Sequence, residues 1–396
     1  MEPDSSGNAS PKTESIYNRH FWILSLSSFL FFASFNMIVP ELPDYLTLMG
    51  GEDYKGYIIA CFTLAAGISR PFSGKLTDTV GRVPVMLFGT FMTALCGLLY
   101  PFFTTLVLFF FLRFMHGFST GFAPTGAIAY VGDIAPANRR GETIGLVSMF
   151  GTLGMAMGPA LGTSLATNFS FDMMFYVSSL FGIVALIITW PLKETQPKTQ
   201  KFSFSLLKVT KEDFYEPRVL RPAAVYMLVS VAFGAMLTLV PDLSKHIGEP
   251  GKKGWFFTIF TLSSIASRLY AGKMSDKIGR VKTLKVGIGL LSISMLVLGF
   301  TNGMFMFVVS AFLFGIANGI NSPTIMAWTI DLGEDKFRGR ALSTVYIALE
   351  IGIGGGALLS AALYGNNPAN FIYAFGACAT LCLLAFLLLF KKMKHA

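Results

Sequence analysis

Apolar residues along this chain come in long unbroken runs separated by short polar clusters, with no sustained alternation of the kind a half-buried strand needs. A helix crossing a bilayer requires about 20 predominantly apolar residues. Twelve runs approach or exceed that length: 21–46, 55–77, 84–102, 104–131, 142–166, 171–192, 221–247, 254–275, 282–300, 303–330, 341–364 and 368–390. A transmembrane β-barrel is excluded, because its strands alternate between lipid and lumen. Junctions such as Thr301-Asn302-Gly303 and Gly365-Asn366-Asn367-Pro368 are so short that consecutive helices must be antiparallel neighbours. The first run exceeds the ~7–15 apolar residues of a cleaved signal peptide, so it is expected to stay in the membrane. The pattern predicts an all-α membrane protein with twelve transmembrane helices in two six-helix bundles, 19–192 and 221–391. A Lys-rich linker, 193–220, joins them, and polar segments 1–18 and 392–396 are expected as tails, the first of them disordered.

Composition sharpens this reading. Of 396 residues 53% are hydrophobic and 13% charged, against about 25% charged in soluble domains, so a water-soluble enzyme would have no interior large enough. The net charge of +9 would suggest nucleic acid in a soluble protein. Here the distribution matters more. Of the Lys and Arg residues, only Lys55, Lys245, Lys252 and Lys253 fall in loops on one side, and Arg70, Arg113 and Arg268 fall within spans. The rest lie on the other side, which predicts cytoplasmic termini in a plasma membrane, that of a bacterial inner membrane, and no nucleic-acid partner. Cys61, Cys96, Cys378 and Cys382 all lie in apolar runs and read as small buried hydrophobes. The histidines at 20, 116, 246 and 395 are scattered, so no metal or other cofactor is expected and a membrane enzyme is disfavoured. No G-x-x-x-x-G-K-[ST] phosphate loop occurs, which argues against ATP as the energy source. The linker is too short for the soluble appendage of a signalling receptor.

An internal repeat defines the architecture. At an offset of 198, Arg70 maps to Arg268, Gly74-Lys75 to Gly272-Lys273, Asp78 to Asp276 and Gly81-Arg82 to Gly279-Arg280. The same offset maps Gly117 to Gly315, Gly121 to Gly319, Asp133 to Asp331 and Arg140 to Arg338, while Val39-Pro40-Glu41-Leu42 matches Val240-Pro241-Asp242-Leu243. Two parallel six-helix repeats are the pattern of an alternating-access transporter whose site lies between the halves near the midplane.

The doubled loop, G-x-x-x-D-x-x-G-R, resembles the signature of the major facilitator superfamily. It stands at Gly74/Asp78/Gly81/Arg82 and again at Gly272/Asp276/Gly279/Arg280. Three further features resemble that family's drug:proton antiporter branch: Arg113-Phe114-Met115-His116-Gly117 in the fourth span, Gly154, Gly158, Pro159 and Gly162 in the fifth, and Gly132-Asp133 followed by Arg139-Arg140-Gly141. His116 stands where that branch usually has glutamine, and Asn36 where many members carry an acid. The resemblance implies proton-coupled efflux of a small amphipathic organic compound by a monomer, with protons as the coupling ion. The alternative is a symporter or uniporter importing a metabolite. It also implies that Asp78 and Asp276 reach the N-termini of the eleventh and fifth spans.

Features shared by both halves are expected to serve scaffold or gate. Gly74, Asp78, Gly81, Arg82 and Asp133, with their mates Gly272, Asp276, Gly279, Arg280 and Asp331, are the expected cytoplasmic gate, each Arg paired with the following Asp. Unshared polar residues are candidates for substrate or proton. Arg113 is matched by Ala311, His116 by Phe314 and Glu350 by Thr152. A charge at mid-helix costs about 2.5–3.5 kcal/mol on insertion scales, so it needs a paired or wet setting. Arg113, His116 and Thr120 share one helical face, expected to line the cavity together with Asn36, Asn318, Asn321 and Glu350. A carboxylate whose cationic company changes with conformation can load and release a proton, which assigns coupling to Glu350 with Arg113 and His116. Arg70 and Arg268 are expected to snorkel toward the cytoplasmic surface. Glu41, Asp44 and Asp242, near the outer ends of spans one and seven, are expected to form an extracellular gate.

Overall fold

The structure is a computed structural model that describes residues 17–51, 54–196, 199–208, 210, 215–249, 253–365 and 367–390. Most of both expected tails, 1–16 and 392–396, therefore lies outside the described residues. The first half contains α1 (Arg19–Ile38), a short α2 (Leu42–Leu48), α3 (Lys55–Thr79), α4 (Arg82–Leu99), α5 (Leu106–Ile134), α6 (Arg140–Asn168) and α7 (Phe171–Thr189). The second contains α8 (Leu220–His246), α9 (Lys253–Ile278), α10 (Arg280–Gly299), α11 (Met304–Leu332), α12 (Arg338–Tyr364) and α13 (Phe371–Leu388).

The expected first span, 21–46, is not one helix. Asn18 caps the start of α1, its Oδ1 accepting the Phe21 amide at 2.9 Å. The helix then ends at Ile38, and α2 restarts at Leu42 after the turn holding Pro40. Proline lacks a backbone donor and its ring collides with the preceding turn, so an interior proline breaks or kinks a helix. Pro71, Pro124, Pro159 and Pro323 sit inside longer helices without ending them.

Among the described residues ten helices are long and apolar enough to cross a membrane. Two more, α3 and α9, are long enough but too polar, and they are repeat mates. Their polarity has a use. Each carries a buried arginine and the gate aspartate, and each packs across the boundary between the halves. Within the first half α1 packs on α6 and α7, α3 on α5, and α4 on α5 and α7. The second repeats this with α8 on α12 and α13, α9 on α11, and α10 on α11 and α13. Between halves the main contacts are α3 with α12 and α6 with α9, again a symmetric pair. Large apolar side chains such as Phe111, Ile187, Leu358 and Leu383 remain exposed, as lipid-facing positions should. Trp22, Trp190 and Trp255 are exposed at helix ends, where a bilayer has its interface. The face where α1 begins and α7 ends, shared with the 193–220 linker, is called the terminal face below.

Candidate functional site

At the terminal face two symmetric clasps hold the halves together. Asp78, in the last turn of α3, accepts the Gly339 amide at 2.7 Å and the Arg340 amide at 2.8 Å, both from the first turn of α12. Asp276, in α9, accepts the Gly141 and Glu142 amides at 3.0 Å, from the first turn of α6. A helix N-terminus leaves its first amides unsatisfied and carries partial positive charge, so a carboxylate from the opposite half is its natural partner. Closeness is enforced by glycine. A Cβ on Gly74 would stand 2.7 Å from the Ser343 Cβ, and one on Gly272 would stand 2.5 Å from the Gly141 carbonyl oxygen.

The arginines complete each clasp. Arg82 donates to Asp78 at 3.0 Å and to Asp133 at 3.2 Å, and Arg280 donates to Asp276 and, at 2.8 Å, to Asp331. Each second aspartate also receives an arginine from the other half: Asp133 from Arg338, and Asp331 from Arg140 at 2.7 Å. Arg140 and Arg338 are absent from the predicted gate, although the repeat offset pairs them. Charges at a helix start read as topology signals until a partner in the other half is visible.

The first clasp has an addition without a repeat mate among the described residues. Glu194, in the linker, accepts the amides of Arg82 and Val83 at 3.0 Å, Thr195 at 2.9 Å and Gln196 at 2.8 Å, thereby capping α4. Gly81 must be glycine there: its φ is +133°, and a Cβ would stand 2.3 Å from the Glu194 carboxylate. At the other end of the linker Glu216 accepts from Arg340 Nε at 3.0 Å. Nothing in the sequence marks these two acids within a Lys-rich stretch.

Deeper between the halves sits a second polar cluster. Arg70 Nη2 lies 3.1 Å from Glu350 Oε1, joining α3 of one half to α12 of the other. Arg70 also donates to the Thr125 hydroxyl at 3.3 Å, and its guanidinium stacks 4.3 Å from the centre of the Tyr346 ring. Arg70 is buried and Glu350 half-buried. The Tyr226 hydroxyl donates to Ser322 at 3.5 Å. Snorkelling is therefore overturned for both arginines: each is buried. For Arg70 the carboxylate, hydroxyl and ring inside the protein replace the water it would have had to reach.

Other predicted residues lie elsewhere. Arg113 and His116 do sit on one face of α5, but that face is sealed inside the first half and neither touches Glu350. Arg113 Nε donates to the Ile58 carbonyl at 3.2 Å and its guanidinium stacks 4.5 Å from the Phe62 ring centre. His116 Nδ1 is 3.5 Å from the Tyr100 hydroxyl, with the Phe35 and Phe62 rings both edge-on at 5.9 Å. Thr120 bonds the Gly117 carbonyl and Asn36 the Phe32 carbonyl, each on its own helix. Asn318 is half-buried on α11, and Asn321 is buried against Gly287 of α10, both its amide atoms without a partner. Glu41 bonds Thr163 in its own half, Asp242 pairs with Lys245 at 3.3 Å in α8, and Asp44 is exposed. The expected extracellular gate residues are thus not brought together in this conformation. The glycine stripe packs α6 on α1, with Gly154, Gly158 and Gly162 against the carbonyls of Phe29, Ala33 and Met37. Gly352 and Gly356 repeat it, against Met227 and Val231. The stripe is a packing device of both halves.

The cross-half polar contacts described above all lie toward the terminal face, with Arg70–Glu350 the innermost. Such a molecule, built of two repeated helical bundles clasped at one face around a buried ion pair, is a membrane transporter. The sequence profile of the Major Facilitator Superfamily matches residues 24–250 and 223–396, and the chain belongs to that family. It is 25% identical over 379 residues to the multidrug resistance protein MdtG of Escherichia fergusonii, covering 92% of each chain. It is also 25% identical over 382 residues to the staphylopine export protein of Staphylococcus aureus, covering 94% of each. Among solved structures, the human organic anion transporter MFSD10 superposes with a TM-score of 0.81 at 19% identity, over 94% of this chain and 99% of that one. The proton:xylose symporter XylE superposes with a TM-score of 0.78 at 14% identity, over 94% and 95%. At these identities the two structures speak for the fold alone.

Proposed function

We propose that this protein exports a small amphipathic organic compound in exchange for protons, with the terminal face cytoplasmic and the membrane that of a bacterial cell. The observation that carries the reading is the Arg70–Glu350 pair, because its members belong to different halves. Rocking the halves apart at the terminal face must break it. In the conformation described, with that face clasped, Glu350 is paired with Arg70. A proton arriving from the outer side neutralises Glu350 and removes the innermost cross-half attraction, which favours opening inward. There the compound binds, the proton leaves to the cytoplasm, and re-forming the pair helps close the clasps. Export as the direction is supported by the relatives whose names describe multidrug resistance and staphylopine export.

The energy suffices. One proton crossing 100 mV supplies ~2.3 kcal/mol, and ~1.4 kcal/mol sustains a tenfold gradient. The test is export of ethidium and other amphipathic dyes from cells lacking their main efflux pumps, then from proteoliposomes with an imposed pH gradient. Export by wild type against the dye gradient, lost in Glu350→Gln while dye-for-dye exchange persists, is expected. Glu350→Gln exporting with unchanged pH dependence would refute the coupling, and accumulation of dye along the proton gradient would make the protein an importer.

A further inference from the structure

Arg268 is the repeat mate of Arg70, and of the groups that hold Arg70 only Gly121, whose carbonyl accepts at 3.4 Å, has a mate there, Gly319. At the offset of 198, Glu350 corresponds to Thr152, Thr125 to Pro323 and Tyr346 to Ser148. The carboxylate, the hydroxyl and the stacking ring are all gone. The Thr152 hydroxyl turns back to its own helix, donating to the Ser148 carbonyl at 3.0 Å. Arg268 is nonetheless 7% exposed, and its Nε is fully enclosed without a hydrogen-bond partner. Among the described residues no ion pair or hydrogen bond reaches its side chain. The other buried arginine without an acid, Arg113, has a carbonyl and an aromatic face, although both its Nη nitrogens are enclosed without a hydrogen-bond partner. A buried guanidinium left alone is unfavourable enough that it calls for a reason.

Its surroundings supply one. Arg268 sits on α9 where that helix packs across to α6, the Gly145 Cβ position lying 3.4 Å from the Arg268 carbonyl. Arg268 and Arg70 are repeat mates on α9 and α3, the two helices that pack across the boundary between the halves, against α6 and α12. Arg70 has its charge met by Glu350, and Arg268 leaves that boundary with one unmatched positive charge. We propose that Arg268 receives the carboxylate of the transported compound, making amphipathic organic acids the preferred substrate class. The proposal rests on the transporter reading above and deepens it: the apolar body would lie among the aromatic and aliphatic side chains between the halves, with the acid seated on the guanidinium. The fork geometry of arginine suits a planar two-oxygen acceptor.

The test uses the purified full-length protein in lipid nanodiscs, with 1-naphthylacetate and its methyl ester as probes and the melting temperature as readout. Wild type is expected to be stabilised by the acid at concentrations at least tenfold below those needed for the ester. In Arg268→Gln the acid should fall to the ester's potency, with the ester unaffected and Arg268→Lys intermediate. Thr152→Glu restores the repeat's missing carboxylate and so satisfies Arg268 from within. It should keep the fold and lose the acid preference in the same way, which guards against a result due to misfolding alone. Equal potency of acid and ester on wild type, or an acid preference surviving in both Arg268→Gln and Thr152→Glu, overturns the proposal. So does Arg268→Gln leaving acid binding intact while shifting the pH dependence of ethidium export as Glu350→Gln does, since Arg268 would then serve Glu350. Ethidium export by wild type is scored separately, so a failure of the efflux reading is distinguishable from a failure of this one.

Discussion

Replacing Asp78 by asparagine should open the terminal face. The carboxylate accepts two amides from α12, at 2.7 and 2.8 Å, and also faces Arg82 at 3.0 Å. Hydrogen bonds to a charged group contribute about 1.5–3 kcal/mol each. An amide side chain keeps one acceptor but aims its NH2 at the second backbone amide, so a net loss of ~3 kcal/mol in the clasped state is a fair estimate. When the halves separate, the same side chain faces water, where the substitution matters little. At ~1.4 kcal/mol per decade the clasped-to-open ratio then falls about a hundredfold. Spin labels at Asn138 and Lys336, exposed positions on opposite halves of the terminal face, would report this as a second, longer distance population absent from wild type. Asp276→Asn should shift the distribution less, because Asp331 beside it is 30% exposed against 13% for Asp133. An unchanged distance distribution in Asp78→Asn would refute the clasp as a conformational restraint.

Other outcomes follow from the same geometry. Gly158→Leu and Gly356→Leu should destabilise comparably in a thermal melt, each driving a side chain into a carbonyl of the neighbouring helix, since overpacking costs about 1–3 kcal/mol or more. A loss confined to Gly158→Leu would restore a special role to the first-half stripe. Gly81→Ala should lower the melting temperature more than Gly279→Ala: both glycines have positive φ, but only Gly81 has Glu194 against it, while Gly279 has open space. Arg113→Lys should reduce stability, by losing the ring stack and the Nε bond to Ile58, and should leave the pH dependence of export unaltered. A shifted pH profile in Arg113→Lys would put that residue back into the proton pathway.

The helices were legible because a bilayer imposes a length and an apolarity that local sequence cannot hide. The break at Pro40 lay inside an unbroken apolar run, where proline is tolerated often enough, as at Pro159, that the residue alone does not decide. The clasp aspartates were legible through duplication, and their contacts with α12 and α6 match what the family resemblance implies. The cross-half arginines, Arg140 and Arg338, carried the same signal but needed a partner in the other bundle to acquire meaning. Arg70 shows the limit most sharply. Its carboxylate lies 280 residues away, and a lone intramembrane arginine is equally compatible with snorkelling until both halves are folded together. Arg113 and His116 have the helical spacing of a shared face, but spacing cannot say whether that face meets the other half or the interior of its own.

Duplication also explains where function enters. Two identical halves would place Arg70 and Arg268 in equivalent settings, each held by an acid, a hydroxyl and a ring, and the centre would be electrically balanced in every conformation. Losing the acid on one side alone leaves an ion pair between the halves at Arg70 and, at its repeat mate Arg268, a buried cation without an acid. Under the two proposals above, an anion on Arg268 and a proton on Glu350 would act on the same boundary, where α9 meets α6 and α3 meets α12. The symmetric clasps need no such difference, because they only have to hold and release. That division is why the charges of the clasps match across the repeat, while the mismatches around a matched arginine lie deeper between the halves.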